Sequence, residues 1–519
     1  MVTRTAVVTA AEAAACDRAT IAAGTPSRAL MQRAGAAAAA EIARRYADCL
    51  HAGVAVHAGP GNNGGDAWVV AAALRRSGVT VRAELHGADQ PKTEDARFER
   101  ERALALGPLD APTGAEGIVV DGVLGTGARG APAAFASVVT RMRAARDAGA
   151  IVVALDVPTG LDATTGETFD EQTVRADLTV TFGTMKRGLL VARDHAGAIV
   201  VVDIGLDDAP NGGDAPNGKL GLVDARDVAR VASPLGAAAH KGTRGKIAIV
   251  GGAPGMAGAT LLAAEAALRS GAGMVRVVVA PESLPVAQTA LPESLAAPWP
   301  TDDEAMARSV ADWADVVVLG PGLGRDDAAR ALADRVLGAW RGPLVLDADA
   351  ITNFAGQTER LATLLGGRPA LLTPHPLEFS RLSGKSLDDV TAHRFDVGRE
   401  VATALDATVL LKGVPTVVSD ARTSLVSAAG TPALGTAGSG DVLCGVAAAL
   451  MVRAENDVVE RGAVAAWVHG RAGEIATARR GGVRGTTLRD VLAALSDAWR
   501  AESPRAPYPV LCELPAVPG

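Results

Sequence analysis

The sequence predicts two α/β domains in tandem, each a mainly parallel sheet covered by helices. Three observations predict it. Short β-branched runs alternate with helical spacers along most of the 519 residues, as in parallel strands buried on both faces. A turn-rich stretch, Asn211-Gly212-Gly213-Asp214-Ala215-Pro216-Asn217-Gly218, divides the series with one alanine as its only apolar residue. Acids and glycines gather where strands end, the edge at which an open parallel sheet binds ligands. The length also exceeds what one core supports.

The elements justify this in order. Residues 54–58 read as a strand, 67–76 as a helix and 79–85 as the next strand. Strands at 118–120, 151–155, 178–182 and 199–202 continue the first domain, a doubly wound sheet spanning residues 1–212. The second domain, residues 219–501, carries strands at 246–250, 275–280, 316–319, 344–346, 370–372 and 409–411. Residues 502–519 hold Pro504, Pro507, Pro509, Pro515 and Pro518 and read as an irregular, poorly ordered tail.

Composition excludes several classes. Hydrophobic residues are 48% and charged residues 21%, an ordinary globular mix. No apolar run approaches the roughly 18 residues that span a bilayer. Arg4, Arg18, Arg28 and Arg33 interrupt the N-terminus, so no signal peptide is expected. A net charge of −7 without a basic block argues against nucleic-acid binding. Cys16, Cys49, Cys444 and Cys512 form no CxxC pair, which indicates neither a zinc site nor a disulfide framework and fits a cytoplasmic location.

Gly435-Thr436-Ala437-Gly438-Ser439-Gly440-Asp441 is the most informative stretch, followed by a helix at 442–452. Its glycines let backbone N–H groups turn inward, and the helix start adds its own N–H groups and positive dipole end. Together they make an anion site. A carboxylate beside bound phosphate is costly, so Asp441 reads as a base for a hydroxyl about to meet a phosphoryl group; plain helix capping is the alternative. Four further strand ends accompany it: Gly320-Pro321-Gly322-Leu323-Gly324, Asp347-Ala348-Asp349, Thr373-Pro374-His375-Pro376-Leu377-Glu378 and Lys412-Gly413. They argue for a nucleotide and a second ligand in one cleft. No GxxxxGK[ST] loop is present, which argues against a Walker-type ATPase.

In the first domain Gly59-Pro60-Gly61-Asn62-Asn63-Gly64-Gly65-Asp66 joins a strand to a helix without the GxGxxG fingerprint. Asp121 and Asp156 end two further strands. Asp and Asn oxygens with the Thr159 hydroxyl suit a hard cation such as K⁺, Na⁺ or Mg²⁺, and ordinary capping is the alternative. Lys186 and Arg187 read either as a phosphate contact or as a solvated turn. His57 reads as structural rather than catalytic.

These motifs resemble a known pair. GPGNNGGD (59–66), DGVLGTG (121–127), DVPTGLD (156–162) and ADLTVTFGTMKRGL (176–189) are similar to the Rossmann-like NAD(P)H-hydrate epimerase domain. HKGTRGKIAIVGG (240–252), AALRSGAGMVRV (266–277), GPGLG (320–324), LDADAI (346–351), TPHPLE (373–378), LKG (411–413) and GTAGSGDVL (435–443) resemble the ADP-dependent NAD(P)H-hydrate dehydratase, a ribokinase-like α/β fold. The order is that of the fused bifunctional repair enzymes.

The resemblance implies roles. Asn62, Asn63, Gly64, Gly65 and Asp66, with Gly125, Thr126, Gly127, Ala128, Arg129, Gly130, Ala131 and Asp156, would contact the hydrated nucleotide. Asn63, Asp121 and Thr159 would hold K⁺. Ala259, Gly322, His375 and Asp441 would contact the hydrate in the second domain. Lys412, Gly413, Val414, Pro415, Thr416 and Gly440 would hold ADP, which Mg²⁺ ordinarily accompanies. Asp441 and Asp156 are the catalytic candidates. Ala67 and Thr159 depart from the usual pattern without being expected to abolish function, and Leu377 and the segment 432–434 depart from it in ways that bear on substrate fit more than on activity. A small-molecule kinase and a first domain that only binds are the rival readings; the partners expected are small molecules, with a homo-oligomer on fold analogy.

Overall fold

The structure, a computed structural model, describes residues 4–128, 133–206, 220–232, 236–452, 454–455, 457–500 and 507–517. The chain divides into two compact units, Met1–Ala215 with Pro504–Val517, and Pro216–Ser503 with the last two residues. The expected break at 211–218 lies outside the described residues.

The first unit holds a seven-stranded sheet in the order Val510–Leu514, Ala198–Val202, Leu178–Phe182, Ile151–Leu155, Ile118–Gly122, Val54–Ala58, Val81–Leu85. Every pairing is parallel except the first. The helices Ser27–Arg45 and Asn62–Arg76 cover one face, and Ala136–Asp147 covers the other. The proline-rich C-terminus corrects the expectation of an irregular tail. Its prolines flank Val510–Leu514, which alternates buried and exposed residues and adds antiparallel to Ala198–Val202. An edge strand tolerates prolines at its ends, where no ladder N–H is needed.

In the second unit the strands Leu295–Pro298, Met274–Val279, Lys246–Val250, Val316–Leu319, Leu344–Leu346, Ala370–Leu372 and Thr408–Leu411 run parallel in that order. The hairpin strands Thr416–Ser419 and Ser424–Ser427 extend it antiparallel, and Leu220–Leu222 pairs parallel with the latter. Ala257–Arg269, Ser439–Met451, Val458–Arg480 and Leu488–Trp499 bury one apolar stripe each on one face. Asp327–Ala339, Thr358–Leu365, Pro376–Ser383 and Val397–Leu405 cover the other.

Both glycine segments sit closer to helix than expected. The first helix begins at Asn62, not at 67, so Gly64 and Gly65 lie inside it. Their lack of a side chain serves packing: a Cβ on Gly64 would stand 1.9 Å from the Gly59 carbonyl oxygen, and one on Gly65 2.5 Å from the Met31 sulfur. The last helix of the site begins at Ser439, so Gly440 and Asp441 occupy its first turn behind Gly438 at φ 91°.

Candidate functional site

In the first unit a cavity of about 590 Å³ opens at the carboxyl ends of the central strands. Asn62, Asn63, Asp66, Gly125, Thr126, Gly127, Ala128 and Asp156 all line it, so the structure brings most of the expected contacts together. Gly64 and Gly65 are buried beneath it in the helix, and Arg129, Gly130 and Ala131 lie outside the described residues.

Asp156 takes a left-handed conformation, φ 64°, costly for a residue with a Cβ. Its surroundings hold it there. Lys186 Nζ lies 2.6 Å from Asp156 Oδ1, and the Thr181 hydroxyl donates to the same oxygen at 3.2 Å. The ammonium donates also to Thr181 Oγ1 and to the Phe182 carbonyl, both at 2.9 Å. Lys186 is therefore no solvated turn residue: it is buried, it holds Asp156 in place and it lines the cavity. Asp66 faces the same cavity and is largely buried. Desolvation, then Asp156 and Asp17, raises its carboxyl well above the usual range. Asp17 is also raised, by desolvation first, with Lys186 opposing. Asp17 is a member of the site that motif reading missed. It comes from the helix Ala10–Ala22, far from any glycine loop, and carried no local signal.

The expected cation ligands converge. Asp121 is fully buried; its Oδ1 accepts from the Thr159 hydroxyl at 2.7 Å and its Oδ2 from the Thr159 N–H at 2.8 Å. Asn63 Nδ2 donates to the Leu124 carbonyl at 2.9 Å, while Leu124 N–H donates to Thr159 Oγ1 at 3.0 Å. Asn63 Oδ1 is buried and has no hydrogen-bond partner among the described residues. Burial pushes the Asp121 carboxyl up to about 6 against these hydrogen bonds, and among the described residues no cationic side chain pairs with it. An orphaned oxygen and a buried, uncompensated carboxylate are what a bound cation would satisfy.

In the second unit Asp441 stands at the helix start beside Asp347 and Lys412. Lys412 Nζ lies 2.8 Å from Asp347 Oδ1, which also accepts from the Thr373 hydroxyl at 2.7 Å. A Cβ on Gly440 would approach Lys412 Nζ to 3.1 Å, which sets the ammonium at the helix N-terminus. Desolvation opposes the Lys412 charge, but Asp347 and Glu378 outweigh it and raise the group. Among the described residues Asp441 has no such partner. Desolvation, then the Asp347 charge, pushes its carboxyl up to about 7, with Lys412 pulling the other way. Asp347 thus sits at the centre, a role its sequence segment announced only as a strand end.

His375 caps the helix Pro376–Ser383, its Nδ1 accepting from Leu377 N–H at 3.1 Å and Glu378 N–H at 3.3 Å. A ring nitrogen that accepts carries no proton, so the proton of the neutral ring sits on Nε2, which lies 3.4 Å from Glu378 Oε1. Desolvation, then Lys412, lowers this ring's affinity for a second proton. Gly322, at φ 58°, packs against Met256 and Ala259, bringing the two expected contacts side by side. Along residues 412–416, expected to hold the nucleotide, Arg394 donates to the Val414 carbonyl at 2.6 Å. Thr416 Oγ1 donates to the Gly413 carbonyl at 3.1 Å. Val414 projects outward, 62% exposed.

Two α/β units, each with an acid and a lysine meeting at strand ends, define a two-domain enzyme. Residues 27–188 match the family model described as YjeF-related protein N-terminus, and residues 247–495 match that of NAD(P)H-hydrate dehydratase. The bifunctional NAD(P)H-hydrate repair enzyme Nnr of Escherichia coli K12 is 35% identical over 477 residues, covering 90% of this chain and 88% of the relative. The enzyme of the same name from Pyrobaculum aerophilum is 36% identical, covering 88% and 91%. That of Leishmania infantum is 34% identical, covering 88% of each. Among solved structures, the ADP/ATP-dependent NAD(P)H-hydrate dehydratase of Bacillus subtilis, co-crystallized with ATP/Mg²⁺, aligns at 25% identity with a TM-score of 0.47, covering 55% of this chain and 99% of its own. The chain belongs to the family of bifunctional NAD(P)H-hydrate repair enzymes.

Proposed function

We propose that the first unit interconverts the R and S hydrates of NADH and NADPH, and that the second dehydrates the S form at the expense of ADP. The observation that carries the second assignment is Asp441, poised near neutrality in the first turn of a helix that begins in a glycine loop. Its carboxylate takes the proton of the C6 hydroxyl. The freed oxygen attacks the β-phosphorus of ADP, and AMP leaves. N–H groups from Gly435 to Gly440 stabilise charge on the transferring group, and Lys412, held by Asp347, offers a positive charge at the same place. The ring nitrogen lone pair then expels phosphate, and loss of a C5 proton restores the dihydropyridine. The nucleotide would lie along Lys412, Gly413, Val414, Pro415, Thr416 and Gly440; the hydrate along Ala259, Gly322 and the His375 Nε2–H donor. Mg²⁺ would screen the ADP phosphates.

In the first unit Asp156 is the proton-transfer group, oriented by Lys186, with the nucleotide against Asn62, Asp66 and the loop from Gly125. K⁺ fits among Asn63 Oδ1, Asp121 and Thr159 Oγ1, where it would neutralise the buried carboxylate and fix the strand-end loops. Cysteines that form no disulfide and the lack, among the described residues, of any helix long and apolar enough to cross a membrane suit work in a reducing cytoplasm.

The test mixes purified protein with racemic NADPH hydrate, ADP, Mg²⁺ and K⁺ and follows the absorbance of restored dihydronicotinamide. Recovery of both epimers is expected, and omission of K⁺ should leave only the S form consumed quickly. No recovery with ADP or ATP would remove the dehydratase assignment and return the second unit to small-molecule kinase chemistry.

A further inference from the structure

His57, Glu84 and His86 form a cluster apart from both sites. His57 lies on Val54–Ala58 and Glu84 on the neighbouring edge strand Val81–Leu85, the two paired directly in register. His86 follows that strand, and its N–H donates to the Ala58 carbonyl at 2.9 Å. The sheet itself therefore sets the three side chains on one patch. His57 Nδ1 lies 3.0 Å from His86 Nε2, which lies 3.8 Å from Glu84 Oε2. The three ligand atoms all lie within 4.8 Å of one another.

These spacings are those of a metal shell. A tetrahedral Zn²⁺ with nitrogen and oxygen ligands at about 2.0–2.2 Å sets neighbouring donors roughly 3.4 Å apart. Both neighbouring separations fall within a few tenths of an ångström of that value. The third-exposed Glu84 carboxylate can rotate the remaining distance. Two imidazoles and a carboxylate select Zn²⁺ and its transition-metal neighbours over Mg²⁺, Ca²⁺ or K⁺. Without a metal the two rings are joined by a hydrogen bond between His57 Nδ1 and His86 Nε2, whose shared proton a bound ion replaces.

We propose that His57 Nδ1, His86 Nε2 and a Glu84 oxygen bind a divalent transition-metal ion of the zinc class, with water completing the shell. The ion ties the edge strand to its neighbour, just upstream of the Gly59 loop. One group opposes it. The Arg141 guanidinium lies 2.9 Å from Glu84 Oε2, competing for the carboxylate and repelling the ion. Arg141 is half-exposed and can swing into solvent, so its removal strengthens the site. This site is independent of the hydrate chemistry.

The test uses the full chain, freed of metal by chelator dialysis and titrated with Zn²⁺ by calorimetry and with Co²⁺ by visible absorption. One ion per chain is expected, with Co²⁺ ligand-field bands. R141A should tighten Zn²⁺ binding several-fold. H86Q and E84Q, the latter at a third-exposed side chain, should weaken it at least about tenfold and lose the bands while keeping the wild-type unfolding temperature in chelator. Absence of a one-ion isotherm in the wild-type chain overturns the site. So does unchanged affinity in whichever of H86Q and E84Q keeps its fold, since binding would then lie at other histidines or cysteines.

Discussion

The two units use the same pair of residue types at strand ends and wire them differently. In the first, Lys186 binds Asp156 itself at 2.6 Å. In the second, Lys412 binds Asp347 at 2.8 Å and leaves Asp441 beside a negative neighbour. A lysine placed on the acid itself fixes the orientation of its carboxylate. A lysine placed one carboxylate away lets the acid rise to about 7, where it takes and returns a proton with little driving force. Which carboxylate the lysine meets decides the acid's readiness, and residue type alone does not.

The sharpest break in this comparison is Asp441→Asn. Loss of the base should slow dehydration by on the order of 10²–10⁴-fold while nucleotide binding and epimerisation persist; dehydration at wild-type rate would end the proposed role. Lys186→Met should act on the other unit alone. It leaves the partly buried Asp156 carboxylate without its cation, so on the order of 1–3 kcal/mol of stability should go, read as an earlier unfolding transition. Epimerisation should fall with dehydration of pure S hydrate unchanged.

Two variants should move the pH profile of dehydration in opposite directions. Asp441 must be ionised to act, so kcat/KM rises about tenfold per pH unit below its pKa near 7 and flattens above. Asp347→Asn removes the charge that raises Asp441 and releases Lys412, so the inflection moves to lower pH. Lys412→Met removes the group that lowers Asp441, so it moves to higher pH. The shift in each direction should be about one unit or more, and an unmoved profile in both would detach the inflection from Asp441.

Gly64→Ala tests the shared reliance on close-packed helix starts. Its Cβ would meet the Gly59 carbonyl, and overpacking against backbone costs about 1–3 kcal/mol, visible in chemical denaturation of the first unit. The smallest effect belongs to His375→Asn. Asparagine caps a helix well, so stability should hold, while loss of the Nε2–H donor raises the KM for hydrate.

Much of this was legible in the chain. Most strands were placed within a residue or two because their β-branched runs are local, and Asp121, Asp156 and Asp441 stood out because each follows such a run or a glycine turn. Other features had no local mark. Asp17 comes from a helix without a motif, and the strand Val510–Leu514 lay hidden among prolines.

The sequence by itself determined the two α/β series, the strand-end acids and the glycine loop ahead of Asp441, since periodicity, chain turns and freedom from a Cβ act between near neighbours. Tertiary structure alone decided that Lys186 belongs to Asp156 and Lys412 to Asp347, that Gly64 and Gly65 serve packing within a helix, and that Asn63 Oδ1 faces buried space with no partner among the described residues. Those outcomes depend on residues far apart in the chain. Charge pairing and desolvation act through space, and no local pattern records them.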